Sequence, residues 1–285
     1  MKRIFTVLLF FMIFSACSRA EDWDIKYDER GIPLVEVVLL NDKHTLMLDT
    51  GSSNGMHLHR DKLERLARSL NQKIEPSQVQ RLVDINGNER QVSTLLINKL
   101  EVSNVYFNNF DVIELKPWGL TIGSEQPTSE VMGLGMFDNQ RIMVDFKMNK
   151  IQFINSLPIN IQNWSPYLIQ KTDSGLAIRT YVDNKTLHFI IDTAASHSIT
   201  FNHRLPHNIK RFGCDIISPK SLSLDCSVIE FDLKNKHSQV DKGFAIAVDL
   251  PKGNSTDFDG LLGMSFMKGK KIIFDLPNNH LYIKK

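Results

Sequence analysis

The octet Leu46 to Ser53, "LMLDTGSS", carries an acidic residue to the end of an apolar strand and follows it with a tight polar turn. Asp, Gly and Ser are ordinary turn residues, so one such octet reads as a strand ending in a loop. A buried, unpaired carboxylate is unfavourable, however, and the same plan occurs again further on. Residues 31–58, "GIPLVEVVLLNDKHTLMLDTGSSNGMHL", lie beside residues 174–201, "SGLAIRTYVDNKTLHFIIDTAASHSITF". Each stretch opens on a glycine and an alternating, β-prone run and passes through a polar turn, Asn41-Asp42-Lys43 in one and Asp183-Asn184-Lys185 in the other. Each returns through an apolar strand to Asp-Thr. Met56 and Leu58 then follow Asp49 at the same offsets at which Ile199 and Phe201 follow Asp192.

The ends of the two stretches also correspond. "VMGLGMFDNQRIMVDFKMNKIQFI" and "DGLLGMSFMKGKKIIFDLPNNHLYI" both give an apolar-apolar-Gly element, a polar stretch, an apolar strand ending in Asp, a turn and a closing strand. Asp145 aligns with Asp275. Gly263 aligns with Gly133 without a gap, or with Gly135 across two residues. Repetition on this scale predicts two β-rich halves of one plan. The expected division is a signal peptide over 1–16, a tether over 17–30, a first lobe over 31–155, a connector over 156–173 and a second lobe over 174–285. Helical spacing is confined mainly to "DKLERLARSL", where Asp61 and Glu64 are candidate caps.

The first residues are read as an export signal. Met1-Lys2-Arg3 precedes the uncharged run Ile4–Phe14, whose eleven residues are too few to span a bilayer. Cys17 ends that run after two small residues, which resembles a bacterial lipobox with Phe14 where Leu is usual. Cleavage after Ala20 is the competing reading. The expected address is the cell envelope, held by a lipid on Cys17, or a secreted soluble form. Without Lys2 and Arg3 the basic residues fall from 34 to 32, equal to the 32 acidic ones, so no basic field invites nucleic acid. Cys214 and Cys226 remain. In an exported chain they are expected as a disulfide, with two reduced core cysteines as the alternative.

Two similar halves pack about an approximate two-fold axis, which brings Asp49 and Asp192 face to face. Close carboxylates share one proton, giving an acid and a base from one residue type. At these residues the chain resembles the aspartic peptidases, the pepsin and retropepsin group. The resemblance rests on apolar-apolar-Asp-Thr-Gly at Met47–Gly51, on its partner at Ile190–Ala194 and on the later apolar-apolar-Gly of each half. It implies a mainly β fold of two closed β-barrel lobes of retropepsin-like type with few short helices. It also implies peptide or protein substrates, a single-chain monomer, no cofactor, and a water activated between Asp49 and Asp192.

In that family the Thr hydroxyls, here Thr50 and Thr193, brace the two loops. A hairpin flap covers the cleft, and "RLVDINGNERQV" with the turn Asn86-Gly87 is the candidate. Two departures stand out. Ala194 replaces the family Gly and is expected to crowd the partner loop, which makes a peptide-binding pseudoprotease the alternative function. Ser52 follows Gly51 where Ala195 follows Ala194, so Ser52 is expected to hydrogen-bond Asp49 and make it the more acidic partner. His57 with His59, and His203 with His207, were weighed as zinc ligands and set aside for want of a completing residue. No metal is expected.

Overall fold

The structure is a computed structural model that describes residues 22–74, 79–83, 89–116, 129–172, 174–217, 226–235, 239–250 and 256–284. In the first half the strands are β1 (Asp22–Tyr27), β2 (Pro33–Leu39), β3 (Asp42–Asp49), β4 (Met56–Leu58), β5 (Val79–Val83), β6 (Glu89–Val102), β7 (Val105–Glu114), β8 (Val131–Gly133), β9 (Arg141–Asp145) and β10 (Lys150–Phe153). In the second they are β11 (Ser165–Thr172), β12 (Gly175–Val182), β13 (Lys185–Ile191), β14 (Ile199–Phe201), β15 (Ser227–Lys234), β16 (Val240–Val248), β17 (Gly260–Leu262), β18 (Lys271–Asp275) and β19 (His280–Lys284). Helix α1 (Arg60–Ser69) follows β4, and the short α2 (Met264–Met267) follows β17.

Alternation makes these strands. Along β2, Val35, Val37 and Leu39 are buried while Glu36 and Val38 face outward. Residues Leu40 and Asn41 join β2 to β3, both with positive φ (53° and 70°), and Asp183 and Asn184 join β12 to β13 in the same way (47° and 67°). Two left-handed residues in succession match the twist of a tight hairpin. The first turn therefore sits one residue earlier than the polar triplet suggested, and Leu40 occupies a conformation that an apolar side chain seldom adopts.

The pairings of the first half recur in the second. Strand β3 runs parallel to β8 as β13 does to β17. Strand β4 is parallel to β7 and antiparallel to β8, as β14 is to β16 and β17. The fold is mainly β, with a closed six-stranded barrel and further strands, and one apolar cluster runs through both halves of the chain.

The two-fold is visible in the sheet that joins the lobes. Its order is β1-β10-β9-β18-β19-β11, every neighbour antiparallel. At its centre Met143 lies opposite Ile273. On either side the acids at the strand ends meet bases of the other lobe: Arg141 with Asp275 at 3.0 Å and Lys271 with Asp145 at 2.6 Å. Both carboxyls are buried. Burial alone would raise Asp145, but the Lys271 ammonium and the amides of Met148 and Lys147 hold it below the ordinary value.

Three sequence expectations are corrected. The stretch expected as a tether, 17–30, contains β1, and the stretch expected as a connector, 156–173, contains β11. Charged residues flank single apolar ones in β1, and β11 mixes polar residues and a proline with a short apolar run. Trp23 and Ile25 are nonetheless buried on β1, and Tyr167 and Ile169 on β11, so the charges mark only the outer face of a strand. Helix α1 begins at Arg60 with His59 before it and no side-chain cap; Glu64 pairs with Arg60 at 2.7 Å instead.

Candidate active site

Asp49 ends β3 and Asp192 follows β13, each beside the strand that threads its lobe. Asp49 stands opposite Gly133. Ile191 stands opposite Leu262, and the Asp192 amide donates to the Leu262 carbonyl at 3.0 Å, which places Asp192 opposite Gly263. The two glycines are needed for space. A Cβ on Gly133 would lie 2.1 Å from the Asn54 carbonyl, and one on Gly263 would lie 2.4 Å from that of His197. Asn54 and His197 occupy the same position after their aspartates, so Gly133 is the counterpart of Gly263, and the gapped alternative with Gly135 falls.

The loops after the two strands are tied across the two-fold. The Thr50 amide donates to Thr193 Oγ1 at 3.0 Å, and the Thr193 amide to Thr50 Oγ1 at 3.1 Å. Thr50 Oγ1 donates to the Ile191 carbonyl at 2.9 Å, and Thr193 Oγ1 to the Leu48 carbonyl at 2.6 Å. Both threonines are fully buried, so these four bonds satisfy polar atoms that water does not reach.

Each aspartate accepts two amides of its own loop. Gly51 and Ser52 donate to Asp49 Oδ1 at 2.9 and 3.1 Å; Ala194 and Ala195 donate to Asp192 Oδ1 at 2.8 and 3.1 Å. The Asp49 and Asp192 carboxyls also act on each other's titration. Burial, with the Asp192 charge alongside, raises Asp49 well above the usual carboxylate range. Burial raises Asp192 to about 6, against the pull of its two amides and the Asp49 hydrogen bond. Asp49 is 3% exposed, whereas Asp192 is partly open, and the shared proton belongs to the pair. This pair can hold one proton and one charge side by side near neutral pH, which is what acid–base chemistry on a bound water requires.

The expected asymmetry between the carboxyls is corrected. Ser52 Oγ is engaged with His57 Nε2 at 2.8 Å and accepts the Asn54 amide at 3.3 Å. What reaches Asp49 from Ser52 is its amide, which Ala195 supplies equally to Asp192. The Ser52 hydroxyl therefore does not distinguish Asp49 from Asp192.

The expected crowding by Ala194 is corrected as well. Ala194 is not among the residues of positive φ, and its side chain packs with Leu34 against Ile32, Met47, Leu115 and Val131. Its counterpart Gly51 has no such room, since a Cβ there would lie 2.8 Å from Asp192 Cγ. The reason lies one layer back. Ile32 of the first half is matched by Gly175 of the second, which approaches the Gly51 carbonyl closely. One side of the two-fold pairs Gly with Gly and the other pairs Ala with Ile.

Strands β5 and β6 form the hairpin expected as a flap, from Val79 opposite Ser93 to Val83 opposite Glu89. Its turn, Asn86-Gly87, lies outside the described residues, as does Cys17. Cys214 and Cys226 are joined as a disulfide with Cα atoms 5.6 Å apart, closing the 3-10 turn Cys214–Ile216 onto the start of β15. The His203 ring stacks nearly parallel to that of Phe201, and among the described residues no group of three His, Cys, Asp or Glu side chains could hold a metal ion.

Two contributors escaped sequence reasoning. Asp111 on β7 accepts the Gly55 amide at 2.8 Å and so pins the far end of the first catalytic loop. His57 had been considered only as a metal ligand with His59. Its distance from Ser52, five positions on a chain that doubles back at Gly55, was the signal available.

No protein-family model matches the sequence, and no curated protein does. Among solved structures the chain is similar to basic 7S globulin from soybean, with a TM-score of 0.53 and 10% identity over 92% of this chain and 94% of that one. It is similar also to conglutin gamma, a basic 7S globulin from lupine seeds, with a TM-score of 0.52 and 9% identity over 93% and 94%. At such identities the likeness is one of fold: mainly β, with closed barrels and few helices.

Proposed function

We propose that this chain is an aspartic endopeptidase in which Asp49 and Asp192 share one proton and activate a water against a peptide carbonyl. The observation that carries the reading is the pair of buried carboxyls, both raised, each fed by two loop amides and locked by the Thr50–Thr193 exchange. Asp192, ionised and partly exposed, takes a proton from the water. Asp49 donates its proton to the carbonyl oxygen as the tetrahedral intermediate forms. As the C–N bond breaks, the proton now on Asp192 passes to the leaving amine, and a hydroxyl proton of the collapsing intermediate returns to Asp49, which restores the one-proton pair. The second reading is peptide binding without cleavage. It is favoured by the solved neighbours, both of which are named as globulins.

The pH dependence tests the proposal. The active form carries one proton on the pair. Activity is therefore lost as pH falls through the lower titration, near the Asp192 value of about 6, and is lost again as pH rises through the higher one. Digestion of a denatured protein should show a bell whose acid limb lies near neutrality and not near the ordinary aspartate value. A rate that is flat through that limb contradicts the shared proton.

We further propose envelope anchoring through a lipid on Cys17. Because β1 begins at Asp22, only Ser18 to Glu21 separate Cys17 from it, a span of roughly 14 Å at most in place of the longer expected tether. The cleft would then work close to the membrane surface. Intact mass spectrometry of the mature protein decides this: a lipid adduct on Cys17 supports it, and an unmodified chain starting at Glu21 rejects it.

A further inference from the structure

We propose that His57 is a positioning residue that draws the Ser52 hydroxyl away from Asp49 and thereby keeps the two carboxyls alike in their donors. This rests on the peptidase reading for its consequence, though not for its test.

Ser52 follows the first catalytic Asp-Thr-Gly and donates its amide to Asp49 at 3.1 Å. A hydroxyl at that position is a natural third donor to the carboxylate. Its oxygen lies instead 2.8 Å from His57 Nε2 and accepts the Asn54 amide. A hydroxyl that accepts one amide keeps a second lone pair, so the imidazole tautomer sets the direction of this bond; we assign the ring proton to Nδ1, which leaves Nε2 to accept the Ser52 hydroxyl. His57 is 8% exposed, on β4 between Ile113 of β7 and Val131 of β8. Burial lowers its pKa to about 4, with no charged group contributing to the shift, so at neutral pH it is neutral and its Nε2 can accept.

The second loop supplies an internal comparison. Position for position, Ser52 is matched by Ala195 and His57 by Thr200. Where the hydroxyl is absent the imidazole is absent too, and Thr200 Oγ1 turns to the Asp259 carbonyl at 3.1 Å. Asp192 consequently has two loop amides and no side-chain donor of its own loop. The Ser52–His57 bond leaves Asp49 in the same state. The charged group facing Asp49 is Asp192, and the other polar groups acting on it are the Gly51 and Ser52 amides. A third donor would favour ionised Asp49 and break the match on which sharing one proton depends.

The test is a carbon-13 NMR titration of the aspartate carboxyls in the full mature chain, with the pH–rate profile beside it. Ser52→Ala should leave the lower apparent pKa of the pair unchanged, because its hydroxyl does not serve Asp49. His57→Phe should lower that pKa by about half a unit or more, as the released hydroxyl turns to the carboxylate. His57→Phe combined with Ser52→Ala should return to the wild-type value, and His57→Gln, which keeps an acceptor, should stay near it. A rise in Ser52→Ala alone, or an unmoved titration in folded His57→Phe, overturns the proposal. If His57→Phe does not fold, Ser52→Ala decides by itself. A wild type that cuts no peptide defeats the peptidase reading, and the carboxyl titration still settles this one.

Discussion

Asp49→Asn and Asp192→Asn are each expected to lower kcat/KM by ~10³-fold or more while leaving the chain folded. The amide oxygen of Asn can still accept the loop amides that hold Asp49 or Asp192, so the geometry survives. Neither variant can carry the shared proton and its charge, and the water loses its base or the carbonyl its acid. Stability should move the other way. Both carboxyls titrate above their unfolded values, so ionising them opposes folding: the penalty is absent below the unfolded value and grows as pH rises toward and through the folded ones. Replacing either carboxyl should therefore raise stability at neutral pH by about 1–2 kcal/mol, and the gain should fade in acid. Thermal unfolding at two pH values, read beside the kinetics, separates lost chemistry from lost fold.

Gly51→Ala carries the second large effect. Its new methyl would stand 2.8 Å from Asp192 Cγ and 3.1 Å from Asp192 Oδ1, and backbone from both loops leaves it nowhere to go. Displacing one carboxyl by a fraction of an ångström should cost about 10²-fold in kcat, with KM little altered. The reciprocal change, Ala194→Gly, opens a site whose methyl already rests on Ile32 and Met47. It should alter kcat within a few-fold and lower stability by about 1 kcal/mol or less. Equal losses from the two substitutions would mean that the loops are equivalent in space, contrary to the Gly51–Gly175 and Ala194–Ile32 contacts.

The doubled Asp-Thr and the alternating strands around it made the lobes legible, because both rest on local pattern. The pairing of the glycines was not, since Gly133 and Gly135 differ only in which carbonyl each approaches. Strands β1 and β11 were hidden because each buries one face only, and a short strand of mixed polarity resembles a linker until its partner, β10 or β19, is known. Ser52 was assigned to Asp49 from its nearness in sequence. The imidazole that claims it arrives only when the chain turns back at Gly55. Ala194 seemed a defect because the residue that accommodates it, Ile32, is far away in sequence, on the other lobe.

The central claim is that one proton shared by Asp49 and Asp192 drives water onto a peptide bond. Its most direct test is digestion of a peptide library by the mature chain near pH 6 in oxygen-18 water, read by mass spectrometry. The predicted result is a set of cut peptides with one heavy oxygen in each new terminal carboxyl, and none from Asp49→Asn or Asp192→Asn. The contradicting result is an intact library from which the wild-type chain retains bound, uncut peptide.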